Sequence, residues 1–422
     1  MLNVRHLYSL LLWLALPYAL FHLLWRARKQ PEYLQHIGER FGFYARHGDK
    51  PVIWLHTVSV GETRAAAKLV QRLLDLHPEH QILLTHTTPT GRAASEQLYG
   101  DRVQRVYLPY DYSFAVKRFL RHFRPQVGVL LETEIWFNLI HHCHSARVPL
   151  LLLNARLSEK SAARYAGYPR LTRPALRDLA GIAAQTQADA DRLTALGAPQ
   201  VSVMGNLKYD IEAPGDMLER GLTMRCNMGI NRPVFLAAST REGEEDLLLS
   251  ALQSLNIPHL LIVLVPRHPQ RFDEVAALCA RHQLTLQRRS DEQPVAPETQ
   301  VWLGDSMGEM FAYYMACDIA FIGGSLLPFG GQNLIEACSM GKPVLIGPHT
   351  YNFAEASRMA VETGAALRIE SATELGDKLQ ELFRQPGRMT RMGRAGMEFV
   401  RANRGATETA VTLIGNYQAS FP

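Results

Sequence analysis

The chain has 422 residues, 47% hydrophobic and 20% charged, which suits two or three folded domains and excludes a disordered polymer. Lys and Arg number 45 against 40 Asp and Glu, and a net charge of +5 is too mild for a nucleic-acid binder. It suits an anionic membrane surface or a phosphorylated ligand. The five scattered cysteines (Cys143, Cys226, Cys279, Cys317, Cys338) lack metal-ligand spacing and read as reduced thiols.

Tyr8 to Trp25 reads YSLLLWLALPYALFHLLW, with no Asp, Glu, Lys or Arg, and RARK follows at once. The run is long enough to cross a hydrocarbon core, and no small-residue cleavage site follows it. An uncleaved membrane anchor over residues 1–30 is expected, with a buried helix of the first domain as the alternative. The flank Arg26, Arg28 and Lys29 predicts a cytoplasmic face. Arg5 on the other flank works against that orientation, and Pro17 permits a kinked or shallow helix.

Apolar runs then alternate with helical patterns. PVIWLHTVS, QILLTHTTP, VQRVYLPYD, QVGVLLETE, PLLLLNAR, GIAAQT and VSVMGN read as parallel strands covered on both faces. TRAAAKLVQRLLDLH and DYSFAVKRFLRHF read as helices between them. Polar YDIEAPGD suggests an interdomain linker, taken as 209–230. The rhythm restarts with PVFLAAS, HLLIVLVPRH, TQVWLGDS, DIAFIGGS and PVLIGPHT, and a helical tail runs from about Leu375. The expected class is α/β, with two doubly wound, Rossmann-like domains facing a central cleft where strand ends meet the ligand.

His56, Glu132, Asn154, Asn206, Ser239, Arg267, Asp305 and Ser325 all fall at such ends. Glu62, in HTVSVGETR after the first strand, is either a helix-dipole partner or a general base. In the second half, Gly323 and Gly324 end a strand, where backbone N–H groups can approach an anion. Gly330 and Gly331 lead to a helix expected near Asn333, with Glu336 suited to a ribose diol. Arg267 and His268 end an apolar strand, and Arg267 suits a phosphate or carboxylate. In GDSMGEM, Met307 and Met310 suit a nucleobase face and Gly308 its edge. STREGEE has the residues of a helix cap, with Ser239 or Arg241 open to a ligand. HHCH at 141–144 reads as a helix surface, and no metal site is expected.

In order and spacing, HTVSVGE, THTTPTG, VYLPYD, ETEIW, NARLS, GNLKYD, PRHP, GDSMGE, GGSLLPFGGQN and IGPHTYNF closely resemble the 3-deoxy-D-manno-octulosonic acid (Kdo) transferases of Gram-negative lipid A assembly. The resemblance runs from the apolar N-terminus almost to the end. It implies a GT-B fold and transfer of Kdo from CMP-Kdo to tetraacylated lipid A precursor (lipid IVA), with inversion, no metal and no other cofactor. Two additions are preferred over one. It also implies Glu62 as catalytic base, and Glu132 and Lys208 in transition-state support. The cytidine nucleotide is expected at Pro266 and Arg267, at Met307, Gly308 and Glu309, and across Asn333, Leu334, Ile335 and Glu336. Gly323, Gly324 and Ser325 are the backbone donors proposed for its phosphate. The implied domains are 31–208 for the acceptor and 231–422 for the donor, the terminal helices open to returning to the first. The expected location is the inner membrane, with both domains cytoplasmic and no obligate protein partner. Leu334, Phe137 and Arg241 stand where the family usually has Pro, Pro and His. The competing readings are a GT-B enzyme using a UDP-sugar on a lipid-linked acceptor and a membrane-tethered nucleotide-binding protein without turnover.

Overall fold

The computed structural model describes residues 4–418 apart from 46, 47 and 254; the side chain of Lys29 and residues 1–3 of the expected anchor also lie outside the described residues. The chain divides into two compact units, 1–210 with 404–422, and 211–403.

In the first unit every apolar run forms a strand: β1 (Val52–His56), β2 (Gln81–His86), β3 (Gln104–Tyr107), β4 (Pro125–Leu131), β5 (Leu150–Ala155), β6 (Gly181–Ala184) and β7 (Ser202–Val203). They pair in parallel in the order β3-β2-β1-β4-β5-β6-β7. Successive side chains of β1 enter opposite cores, Val52 and Trp54 on one face and Ile53 and Leu55 on the other. Both faces are apolar because helices cover both. A Cβ on Gly128 would lie 2.5 Å from the Trp54 ring, so the indole fixes that residue as glycine. The strand order reverses between β1 and β4, which makes their C-terminal ends the switch point where doubly wound sheets take ligands.

The second unit contains β8 (Val234–Thr240), β9 (Leu261–Pro266), β10 (Leu286–Arg288), β11 (Val301–Leu303), β12 (Ile319–Ile322), β13 (Val344–Ile346) and β14 (Ala366–Arg368). These are parallel in the order β10-β11-β9-β8-β12-β13-β14, with the reversal between β8 and β12.

The expected linker 209–230 is corrected: Gly215–Met228 is a helix of the second unit. Pro214 caps its start, where a missing N–H costs nothing. Gly221 meets Met315 so closely that a Cβ would lie 2.4 Å from the Met315 Cβ. The last helix, Ala406–Gln418, belongs to the first unit, burying Ala406, Ala410 and Ile414 in the core with Leu69 and Val70. Asp210 holds its start by accepting from the Gly405 N–H at 2.7 Å and from Thr407 N–H.

Val4–Lys29 is one helix, and Val4–Arg28 is the one stretch among the described residues long and apolar enough to cross a membrane. Most of its apolar side chains are exposed, so it is not a buried core helix of the first unit.

Candidate active site

After β1 the chain turns at Thr57–Ser59 and enters the helix Val60–Ala65 with Ser59 as N-cap. Glu62 folds back over that start. Its Oε2 accepts the Val58 N–H at 2.6 Å and its Oε1 accepts the Ser59 hydroxyl at 3.0 Å. The capping role is therefore real. Capping alone would stabilise the ionised form, yet burial pushes this carboxyl up to about 7, against the Val58 hydrogen bond and with help from nearby Glu132 and Glu134. Below it, His56 is pushed down to about 3 by burial and His86 to about 4, so both imidazoles are neutral. Their hydrogen bonds to Thr85, Thr57 and Ser95 brace the turn that carries Glu62.

Glu132 follows β4, the strand beside β1, with φ at 63° in the left-handed region. Such a conformation is uncommon outside glycine and aims the side chain away from the strand path. Its Oε1 lies 3.6 Å from Lys208 Nζ. Lys208 is positioned by amides at neighbouring strand ends. Asn206 Oδ1 accepts its N–H at 3.0 Å and Asn206 Nδ2 donates to Gln185 at 2.9 Å. Gln185 donates to the Asn154 carbonyl at 3.0 Å, and Asn154 Oδ1 accepts the Leu207 N–H at 3.1 Å. Three strand ends thus hold one ammonium against one carboxylate.

Glu134 completes the cluster. Its Oε2 accepts the Trp136 indole N–H at 2.6 Å, and burial, with Glu132 adding to it, pushes its carboxyl up to about 7. Sequence reasoning did not single it out, although the second acid of ETE was in view.

At the β8–β12 switch the second unit differs from expectation. Gly323 is needed because a Cβ there would sit 2.5 Å from the Ser239 carbonyl oxygen. Its N–H donates to the Ala238 carbonyl at 2.8 Å. The Gly324 N–H donates to Glu244 Oε2 at 2.6 Å, and the Leu326 N–H to Glu244 Oε1 at 2.9 Å. Glu244 is fully buried and also accepts the Arg241 N–H at 2.8 Å. The Gly323 and Gly324 donors expected to meet a phosphate are thus engaged within the fold, those of Gly324 by the protein's own carboxylate. Ser325 is also turned inward, its hydroxyl donating to the Ile322 carbonyl and accepting the Gly347 N–H at 2.8 Å.

Cationic groups remain beside those strand ends. Pro266 ends β9 in the core, and half-buried Arg267 follows, its N–H donating to the Thr240 carbonyl at 3.0 Å. Exposed His268 is held below its usual pKa by desolvation and then by Arg241, Arg267 and Arg271. Arg241 lies over the Phe329 ring at 4.5 Å. After β11, Met307 and Gly308 are exposed, with Gly308 at φ 82°. Glu309 is buried, its Oε1 paired with Arg220 at 3.1 Å and Arg289 at 3.3 Å, so its side chain serves the fold. The helix expected near Asn333 begins at Ile335. Asn333 Oδ1 accepts the Ile335 N–H at 3.0 Å and its Nδ2 donates to half-buried Glu336 at 2.9 Å. Leu334 and Ile335 are buried, which leaves Asn333 and Glu336 as the polar face of this turn.

For metal chemistry, His77, Glu79 and His80 bring ligand atoms within 4.8 Å of one another. They precede β2, at the opposite end of the sheet from Glu62. HHCH lies on the helix Phe137–Ser145, with Cys143 in the core and His141 3.8 Å from Asp178.

Residues 35–211 match the family described as 3-deoxy-D-manno-octulosonic-acid transferase (kdotransferase), and residues 241–399 match glycosyl transferases group 1. A 3-deoxy-D-manno-octulosonic acid transferase of Bordetella pertussis is 41% identical over 393 residues, covering 90% of this chain and 91% of its own. The chain belongs to the Kdo transferase family. A second relative of that description, from Haemophilus influenzae, is 37% identical over 420 residues and covers 98% of each chain. The protein is therefore a glycosyltransferase, and its paired parallel-sheet units are those of the GT-B fold. A Rickettsia africae glycosyltransferase shares the fold at a TM-score of 0.58 and 14% identity, over 88% of this chain and 99% of that one. A Neisseria meningitidis UDP-GlcNAc 2-epimerase does so at 0.57 and 17%, over 86% and 98%. Fold alone does not choose the chemistry. In this Kdo transferase the strand ends of the first unit gather Glu62, Glu132, Glu134 and Lys208, while those of the second bring Arg241, Arg267 and His268 together.

Proposed function

We propose that the chain transfers Kdo from CMP-Kdo to a sugar hydroxyl of lipid IVA, inverting the anomeric centre and releasing CMP. The observation that carries this reading is the Glu62 carboxyl, pushed up to about 7 beside Glu132 and Glu134 at the β1–β4 switch. A base works best when its pKa lies near the working pH. Glu62 takes the acceptor proton as the hydroxyl oxygen bonds to the anomeric carbon. The bond from that carbon to the CMP phosphate oxygen breaks, and its electron pair leaves on the phosphate. Lys208, steadied by Glu132, supports the developing charge.

Arg267, with Arg241 and His268 beside it, receives the phosphate and the donor carboxylate, while Glu336 and Asn333 receive the ribose. Met307 and Gly308 offer an apolar surface and a backbone edge to the base. Side-chain cations do the work of a metal clamp, so the reaction is metal-independent. Gly323, Gly324 and Ser325 act here as supports of the loop; direct contact of the Gly324 N–H with phosphate requires release of Glu244, and that of the Gly323 N–H release of the Ala238 carbonyl. Two Kdo units are added in turn, the first product re-entering the same site. The acceptor stays in the cytoplasmic leaflet of the inner membrane.

Calorimetric titration of CMP-Kdo, combined with turnover of Glu62→Gln, tests the division of labour. Donor affinity should be kept and turnover lost; lost affinity with turnover retained would overturn it.

A further inference from the structure

The helix Val4–Lys29 is fastened to the first unit at both ends. Near its start, Arg5 Nη1 and Ser9 Oγ each donate to Asn138 Oδ1 at 3.1 Å, and the Tyr8 hydroxyl donates to Asp111 at 2.9 Å. Tyr112 donates to the Leu12 carbonyl at 2.8 Å, and the Tyr8 ring meets Phe137 edge-on at 5.1 Å. At its far end the Arg26 guanidinium covers Tyr33 at 4.6 Å. The chain then runs straight into Glu39 and Arg40. Glu39 accepts from Arg92 at 3.0 Å and from the Tyr107 N–H at 2.7 Å, and Arg40 donates to the Thr87 carbonyl at 3.1 Å.

Arg5 and Arg26 are separated by roughly 32 Å at 1.5 Å per helical residue. A helix standing across a hydrocarbon core of about 30 Å would carry Arg5 to the face opposite the folded unit. Those contacts to Asn138 and Asp111 could not then form. The outward side of the helix instead presents Leu7, Leu10, Leu14, Tyr18, Phe21 and Trp25, spaced three or four residues apart and each at least half exposed. That is one continuous apolar stripe along the whole length.

We infer that this helix lies in the plane of the membrane interface, with both of its ends on the side of the catalytic units, rather than spanning the bilayer. The occupant of the stripe is the acyl and headgroup boundary of an anionic leaflet, with the basic Arg26 and Arg28 at its edge. Its place in the fold links attachment to chemistry. Asp111, Tyr112 and Phe114 follow β3, and Phe137 and Asn138 follow β4, at the strand ends that also carry Glu62 and Glu132. Asp111 accepts the Asn138 and Leu139 N–H groups at 3.0 and 2.7 Å, and so caps the helix that follows the Glu132–Trp136 loop. The bilayer surface is therefore brought to the edge where the acids stand, an arrangement that rests on the proposed membrane-borne acceptor for its use.

The test uses the full chain with one epitope ahead of Met1 and another after Pro422, in sealed membrane vesicles with the cytoplasmic face outward. Added protease should remove both epitopes without detergent. An amino-terminal epitope protected until detergent is added would overturn the in-plane placement. In parallel, Leu14→Glu with Phe21→Glu should lower sedimentation with phosphatidylglycerol vesicles at least fivefold and keep turnover on detergent-dispersed acceptor within about twofold. Undiminished vesicle binding, or a purified dimer whose stripe is covered by its partner copy, would equally contradict it. Failure of turnover on dispersed lipid IVA by the unaltered enzyme would strike the proposed reaction and leave the epitope result standing.

Discussion

Replacing Glu62 by Gln should make the protein more stable and nearly inactive at pH 8. The amide keeps the side chain's shape and one acceptor for the Val58 N–H or the Ser59 hydroxyl, and removes the charge. Folding raises this carboxyl from 4.5 to about 7, mainly by burial. A raised pKa means that folding favours the protonated form: the stabilisation is present in full below pH 4.5 and is lost as pH rises through about 7. The full shift is worth about 3 kcal/mol. Glu62 is only partly covered, and Gln gives up one of two accepted hydrogen bonds, so a gain of about 1–2 kcal/mol at pH 8 is expected. That corresponds to ~2–6 °C in the melting temperature of a unit of this size. Turnover should fall by roughly 10²–10⁴ with the proton acceptor gone. Thermal melts at pH 5 and pH 8, paired with initial rates, make the measurement. At pH 5 the stability gain should vanish. If Gln destabilises the protein by the same few tenths of a kcal/mol at both pH values, or leaves turnover near wild type, Glu62 is a helix cap and the reasoning fails.

Lowering the pH should reduce kcat/KM of the wild type with an inflection near 7, the activity rising as Glu62 loses its proton; a flat profile between pH 6 and 8 would speak against the base. Arg267→Ala should weaken CMP binding by roughly 10–100-fold, the cost of one charge-assisted contact, and Glu336→Gln by less, both read by calorimetry. Glu244→Gln should destabilise the second unit by about 2 kcal/mol or more, because a buried acceptor of three N–H groups is impaired, and denaturant melts at pH 7 would reveal it. Initial rates should be unchanged after exhaustive chelation; activity that returns only with magnesium would reopen Asp305 and Glu309 as ligands.

Long apolar runs made the central strands readable. Ile53 and Trp54 cannot both be buried unless both faces of β1 are covered, and the sequence carries that information locally. The edge strands β10 and β14 were not legible, being three residues each with polar members such as Gln287 and Arg368. Pro214 and Gly215 read as linker residues, yet they only open a helix whose apolar contact with Met315 comes from a hundred residues away. The same limit applies to the site. HTVSVGE and GNLKYD pointed to Glu62 and Lys208 as candidates, but only the folded chain shows Lys208 beside Glu132 and the rise in the Glu62 carboxyl. STREGEE gave a cap signal whose Glu244 also reaches Gly324 and Leu326, eighty residues on, and no local pattern encodes that partner. Tyr8 read as the first residue of an anchor and Arg5 as its flank, and their partners Asp111 and Asn138 again lie far along the chain.

The most direct test is the mass of the product that purified enzyme makes from CMP-Kdo and lipid IVA. The account predicts an acceptor carrying two added Kdo units with one CMP released for each, and far slower formation of the same product by Glu62→Gln. A single addition under exhaustive conditions would contradict the predicted count. An acceptor of unchanged mass, or one extended only when a UDP-sugar is supplied, would contradict the reaction itself.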